Sequence, residues 1–460
     1  MKVIYLDIDS LRPDHLGVYG YPRPTSPNID KLAREGIFFT HCFASDSPCM
    51  PSRAATISGT LGIKNGIVTH GDRGLVLNPN TPTLPQLLRE NNIKTAAIST
   101  FGRHPSPWFY VGWETFLDPT GWDFQTTPGW KIHEYASQWI EENVDDDFVL
   151  WVQFWDPHAV YDAPQGCVEA VRNEKFPAYP TRDQIETFQG DKFWHSAPMM
   201  GIYNYEDYQK VVNEYDGEIR YVDYHIGKLI EKLESLHILD DTLIIVSADH
   251  GEELGEHGVF IEHWSTFNGT NRVPLIMRYP KKIPAGMVSH ELIYQMDLSS
   301  TILQYFNIET PSEWDSKSLW THINTTSLGE KSGRLYLVIG HGLYTAQRAV
   351  VTHEWKLIRT YHSGQWILPE IQLYNLLEDP FEQKDVSQDH PDVVRMLIGY
   401  LNEWEYLNQS ASGTDPMKRN AEQGPPGIEL YGKQSMENFL RNSQPMITVR
   451  TDRKPEVELY

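Results

Sequence analysis

Short apolar strand patterns alternate with helical ones along most of this chain, and that alternation limits the fold more than any other feature. Val3–Asp9, Lys94–Ser99, Phe148–Phe154 and Leu243–Ala248 read as strands, and FVLWVQF and LIIVSA leave almost nothing polar to face water. Ser26–Gly36, Tyr205 to about Leu236 and Asp297–Phe306 carry apolar residues at helical spacing, with Ser26 before Pro27 as a cap signal. Val273–Met277 adds a further strand. Strands that alternate with helices build a mostly parallel sheet covered on both faces. The expected class is therefore α/β: a large mixed, mostly parallel sheet sandwiched by helices.

The texture changes near Gly333. LYLVIG, AVVTH, WKLIRTY and QLYNL follow one another closely, as in a small antiparallel sheet, and Val393–Tyr406 repeats a helical pattern. Three units are expected: a catalytic α/β domain over 1–332, a smaller C-terminal antiparallel sheet with a helix over 333–408, and a polar stretch over 409–460. That last stretch reads as a mobile tail or as an arm packed on the body or on a partner subunit, which leaves a homo-oligomer open. Tyr161–Tyr203, aromatic-rich with little periodicity, reads as a long loop region.

Sixty-two acids against 39 bases give a net charge of −23 over 460 residues. A chain so acidic has no general basic face for nucleic acid, and an anionic substrate must be held by local cations. Three cysteines (Cys42, Cys49 and Cys167) do not make a disulfide framework. No apolar run is long enough to span a bilayer, and no membrane partner is expected. Met1-Lys2 runs directly into a strand instead of a secretory signal, so a cytoplasmic location is expected.

Two strand ends carry acids. Asp9 closes the first strand, and Asp249-His250 closes LIIVSA. Ligands of open α/β sheets bind beyond such carboxyl ends, and carboxylates converging there suit a hard cation. Cys49-Met50-Pro51-Ser52-Arg53 reads as a short helix start with Pro in its first turn and Gly59 as its stop. Backbone N–H groups at such a start favour an anion, and Arg53, four residues after Cys49, projects over the same face.

The run C-x-P-S-R-x-x-x-I-S-G resembles the signature of type I sulfatases. DIDSLRPDHLGVYGY and TLIIVSADHGEELGEHG resemble that family's two metal motifs, and NRVPLIMRYP, DLSSTILQYFNI and LYNLLEDPFEQKDV resemble three further motifs in the same order. The resemblance covers nearly the whole chain and implies an alkaline phosphatase-like fold. It implies that Asp9, Asp249, His250 and a formylglycine made from Cys49 hold a divalent metal; Asp7, two residues before Asp9 on the same strand face, is read as a further ligand or as a partner behind the ligands. Calcium is the ion the family implies; the imidazole of His250 also suits Mn²⁺ or Zn²⁺. Ser10 stands where the family often has a second acid.

By the same resemblance Arg53 stabilises the nucleophile; the leaving alcohol is expected to take its proton from His158, which matches a family substrate-site His, or from His263, which stands near the place of a family Lys that this sequence lacks. Arg103 and His104, a looser match, are expected to bind substrate. His70 and His257 read as structural. The implied reaction is hydrolysis of a sulfate ester by attack of the formylglycine hydrate, and the expected substrate is a sulfated sugar or another small sulfate ester. A formylglycine-generating enzyme is the implied maturation partner. Trp108, Trp113, Trp122, Trp130, Trp155 and Trp194 are expected to serve the core more than sugar stacking. The alternative is a phosphonate monoester or phosphodiester hydrolase of the same superfamily. A glycan-binding relative with unconverted Cys49 is a third reading, disfavoured by the nearly complete motif set.

Overall fold

The strands of the computed structural model are β1 (Lys2–Ile8), β2 (Ile37–Phe43), β3 (Asp46–Ser47), β4 (Lys94–Ile98), β5 (Thr115–Leu117), β6 (Phe148–Phe154), β7 (Thr242–Ser247), β8 (Leu275–Arg278), β9 (Met287–Tyr294), β10 (Leu337–His341), β11 (Ala346–Val351), β12 (Trp355–His362) and β13 (Ile371–Asn375). The structure describes residues 1–70, 77–78, 80–101, 106–119, 127–159, 161–188, 197, 201–260, 263–324, 333–364, 366–409, 413–428, 454–457 and 459.

Eight strands form one sheet in the order β5-β4-β6-β1-β7-β8-β2-β9. The most apolar strands lie at its centre. β1 pairs in parallel with β6 on one side and β7 on the other, and β6 and β7 are buried along their whole length. The sheet is parallel apart from β8, which runs against both β7 and β2. This is the mixed, mostly parallel sheet expected. The helices Pro27–Arg34, Gly129–Glu142 and Gln165–Arg172 gather around the long helix Tyr205–Ser235. The first of them starts where expected, but the Ser26 hydroxyl accepts no N–H from its first turn and donates to Asp30 Oδ1 at 3.0 Å. Asp223 of the long helix takes the N–H groups of Asn28 and Ile29 at 3.0 and 2.8 Å instead. A carboxylate satisfies two orphan donors where a hydroxyl satisfies one.

The second sheet has the order β13-β12-β11-β10-β3. β10 to β13 are antiparallel, as expected, and the helix Pro391–Asn408 packs its Leu397 and Leu401 against them. β3 joins this sheet in parallel, pairing Asp46 with Gly340 and Ser47 with His341. The second sheet therefore reaches to within two residues of Cys49.

One expectation changes. The stretch Tyr161–Tyr203 is not one long loop: it holds the helices Gln165–Arg172 and Arg182–Phe188. Cys167, Val168 and Val171 bury one side of the first helix, a stripe too short to stand out as a period. Beyond residue 409, the described residues pack on the body. Asp415 caps the helix Pro416–Gln423 and pairs with Arg348 at 2.5 Å, and the Lys454 side chain is buried. All three cysteines are free and buried. No helix among the described residues is long and apolar enough to cross a membrane.

Candidate active site

β1 ends at Ile8, and the next residue, Asp9, turns its carboxylate beyond the sheet edge. Its N–H still reaches Phe154 O at 3.0 Å, so the acid is fixed to the end of β6. Ser10 follows in the left-handed region, at φ 60°, a conformation costly for a residue with a side chain and often kept at functional sites. That bend lets the Ser10 N–H donate to Asp249 Oδ1 and its hydroxyl donate to Asp9 Oδ1, both at 3.3 Å. Ser10 thus holds two acids where an acid of its own would repel them.

β7 ends at Ser247 and delivers Asp249 and His250 beside Asp9. The helix Cys49–Ser58 is anchored to the same edge, since Ser52 Oγ donates to Asp249 O at 2.6 Å. All ten of its residues are buried, and it stops at Gly59, whose φ of 62° is open to glycine at little cost. The Met50 N–H at its start donates to His70 Nε2 at 2.9 Å. His70, read from sequence as structural, therefore fixes the residue next to Cys49.

One ligand atom each from Asp9, Cys49, Asp249 and His250 lie within 4.8 Å of one another, all from buried residues. Cys49 Sγ lies 3.0 Å from His250 Nε2. His250 Nδ1 donates to Gly251 O at 2.7 Å, which leaves the Nε2 lone pair directed at the cluster. The same 4.8 Å limit also joins Cys49 with His158 and His263. His158 is half-buried, and its Nδ1 donates to Ala159 O at 2.7 Å. His263 lies with its ring centroid 4.2 Å from that of His250 and its Nδ1 3.6 Å from Glu252.

Arg53 spans the acids. Its Nε meets Asp7 at 2.8 Å, and its Nη1 meets Asp9 at 3.1 Å and Asp249 at 2.7 Å. Its guanidinium carbon stacks 4.6 Å from the Phe101 ring centroid. Arg53 Nη2 has no hydrogen-bond partner among the described residues and remains as a donor for a ligand. Asp7 stands outside this quartet of candidate ligands: its Oδ2 receives Arg53 Nε and Trp151 Nε1, at 2.8 and 3.0 Å. It acts on the site through Arg53. Arg103, His104 and the tryptophans Trp122 and Trp194 lie outside the described residues. Trp108, Trp113 and Trp155 are buried, as core residues are. His257 stacks on Phe267 with centroids 3.7 Å apart.

The charge count shows what is missing. Three buried carboxylates face the one guanidinium of Arg53, and burial lowers His250 to about 4, so near neutrality it adds no charge. Burial, with Asp249 beside it, pushes Asp7 up to about 6 against the pull of Arg53. Burial and then Asp249 also push Asp9 up. Burial is the largest influence on Asp249 and works against its charge, but Arg53, His250 and the N–H groups of His250 and Ser10 together outweigh it and hold that carboxyl below its ordinary value. Burial, then Asp9 and Asp249, drive the Cys49 thiol well up, so an unmodified Cys49 is a poor nucleophile. Buried acids in such excess, within ligand distance of one another, fit a divalent cation.

Comparison with known proteins decides the family. The sulfatase family model matches residues 2–308. The chain belongs to the sulfatase family. A second model, for the C-terminal part of N-sulphoglucosamine sulphohydrolase, matches residues 255–405 of this sulfatase. The sulfatase is 25% identical to an N-acetylglucosamine-6-O-sulfatase of Bacteroides thetaiotaomicron, over 84% of its own chain and 82% of the relative. It is 26% identical to human N-acetylgalactosamine-6-sulfatase, over 68% of its chain and 63% of that protein. Its fold matches a structure solved with its substrate D-glucosamine-2-N,6-O-disulfate, at a TM-score of 0.75 and 22% identity, covering 91% of this chain and 99% of that one. It also matches the phosphonate monoester hydrolase of Agrobacterium radiobacter, at a TM-score of 0.71 and 20% identity, covering 90% and 96%. The sulfatase hydrolyses sulfate esters.

Proposed function

We propose that this sulfatase removes sulfate from a sulfated sugar, using formylglycine at position 49 and a divalent metal held by Asp9, Asp249, His250 and residue 49. The observation that carries the reading is the meeting of that quartet with Arg53, His158 and His263 around one side chain. The named activities of the relatives support a sugar, and an amino sugar sulfated at the 6-position is the first to try. Calcium is the proposed ion, since carboxylate oxygens outnumber nitrogen in the quartet.

The metal supplies electrostatic stabilisation of charge developing on sulfuryl oxygens. A formylglycine formed from Cys49 and hydrated would supply the attacking oxygen and a second hydroxyl. The remaining work falls to this chain's own residues. Arg53 holds the acids in register through Nε and Nη1 and offers Nη2 to an anion. His158, with Nδ1 committed to Ala159 O, exchanges its proton through Nε2 and serves as general acid to the departing alcohol. His263, beside His250 and Glu252, is the second candidate for that proton.

The test measures free sulfate released from N-acetylglucosamine-6-sulfate, N-acetylgalactosamine-6-sulfate and other defined sulfated sugars, beside an aryl sulfate and an aryl phosphonate ester. Release from a sugar by wild type but not by Cys49→Ala upholds the reading. Faster turnover of the phosphonate transfers the chain to the phosphonate hydrolase reading. Intact mass checks the modification, because the aldehyde is lighter than the thiol by nearly the mass of one water.

A further inference from the structure

The loop that carries His158 is held by a residue nearly three hundred positions away. It leaves β6 at Phe154, passes Trp155, Asp156, Pro157 and His158, and enters the helix Gln165–Arg172. His158 N donates to Trp155 O at 2.9 Å, so the turn is closed on itself, and Trp155 lies with its ring centroid 4.8 Å from that of His158. What fixes the turn in the molecule lies on either side of it.

Lys454 reaches in from the C-terminal segment. Its Nζ forms ion pairs with Asp156 at 2.9 Å, Asp162 at 2.9 Å and Glu218 at 2.5 Å, and its side chain is 1% exposed. Asp156 precedes His158 by two residues, and Asp162 follows it by four. Glu218 belongs to the long helix, and its other oxygen accepts the Asp162 N–H at 2.6 Å. Asp156 has a second anchor, accepting the Gly129 N–H at 3.0 Å. The Lys454 ammonium also lies 5.3 Å from the Tyr221 ring centroid. Two residues later, Glu456 accepts the N–H groups of Gln165 and Gly166, each at 3.1 Å, at the start of the next helix. Lys454 and Glu456 together hold Asp156, Asp162 and the start of the helix Gln165–Arg172.

We propose that Lys454 is a positioning residue for His158: one buried ammonium ties both flanks of the His158 loop to the long helix and thereby sets where the imidazole meets the leaving group. A surface ion pair would do little of this. Three acids around a single buried cation make a demanding cluster: without Lys454 they repel one another, and the loop is pushed from its place. The inference rests on the proposed role of His158 as general acid, and the experiment separates the two.

The full-length, matured, metal-loaded enzyme is assayed on aryl sulfates running from 4-nitrophenyl to unsubstituted phenyl. A 4-nitrophenolate leaves without a proton; a phenolate needs one. Lys454→Met is expected to lower kcat on phenyl sulfate by about tenfold or more, with KM changed by less than about twofold and the 4-nitrophenyl ester nearly unaffected. Lys454→Arg, which keeps the charge, is expected to recover most of the loss. Should Lys454→Met fail to fold, Lys454→Met with Glu218→Gln removes one acid along with the cation and gives the same readout. Equal losses on both esters, or no loss on either, overturn the proposal. His158→Ala is the control, and it should show the same split. If it shows none, the general-acid reading fails, and amide exchange then judges Lys454 alone. Faster exchange confined to residues 155–166 in Lys454→Met upholds the positioning, and unchanged exchange there overturns it.

Discussion

At the scale of single residues, the centre depends on Arg53 as much as on Cys49. A guanidinium meets Asp7, Asp9 and Asp249 together because its nitrogens fan out in a plane, whereas an ammonium is a point charge. Arg53→Lys is therefore expected to cost about a hundredfold in kcat/KM on an aryl sulfate, the range seen when one preorganised donor is lost. Cys49→Ala is expected to abolish turnover while leaving the fold intact, since a small apolar side chain suits its buried place; circular dichroism and sulfate release check both halves. That Asp9 and the pair Asp249-His250 stand at strand ends was legible from the strand patterns, while the expectation that they act together rested on the motif resemblance. Asp7 was placed on the correct strand, but which partner it serves depends on Arg53 and Trp151 arriving from elsewhere. His70 gave no sequence signal. Its position at the Cys49 helix depends on where the chain returns after Gly66, which no local pattern records.

At the scale of elements, the long helix Tyr205–Ser235 works as a column to which other parts are fastened by buried acids. Asp223 fastens the start of Pro27–Arg34, and Glu218 fastens the His158 loop. Burial raises Asp223 from 3.8 to about 7, against the pull of the Asn28 and Ile29 N–H groups and Arg220. The folded protein thus keeps a proton that the unfolded chain has released. Its stabilising effect is full below the unfolded value and is lost as pH rises through the folded one. Asp223→Asn is expected to flatten the pH slope of stability between 3.8 and about 7, measured by urea unfolding across that window. A slope unchanged from wild type would assign the proton elsewhere. The long helix was readable because its apolar stripe runs for many turns. Gln165–Arg172 and Arg182–Phe188 were not, since one buries three residues and the other one. The cap by Asp223 was missed for a different reason: Ser26 had the right residue type in the right place, and a distant carboxylate took the bonds.

At the scale of the whole molecule, the excess of buried acid links metal to folding. Binding to the native quartet and not to the unfolded chain raises stability by mass action, by about 2.7 kcal/mol when the free ion exceeds its dissociation constant by about a hundredfold. The thermal midpoint is expected to climb with added calcium, to fall with a chelator, and to lose this response in Asp249→Asn. A larger response to manganese or zinc would assign the site to that ion. The α/β class and the second antiparallel sheet could both be read from strand patterns, but β3 could not, because two residues carry no period. Yet β3 is the seam. Ser47 Oγ donates to Gly340 O at 3.2 Å and meets His341 Nδ1 at 3.0 Å, while Cys49, two residues on, begins the helix buried against the larger sheet. A ribosome that has made only the first three hundred residues has every motif of the quartet in hand and no mate for this seam. The start of the Cys49 helix therefore gains its second-sheet partner only once β10 has been made, and trimming the protein to its larger sheet would leave Ser47 without the Gly340 and His341 contacts that brace it.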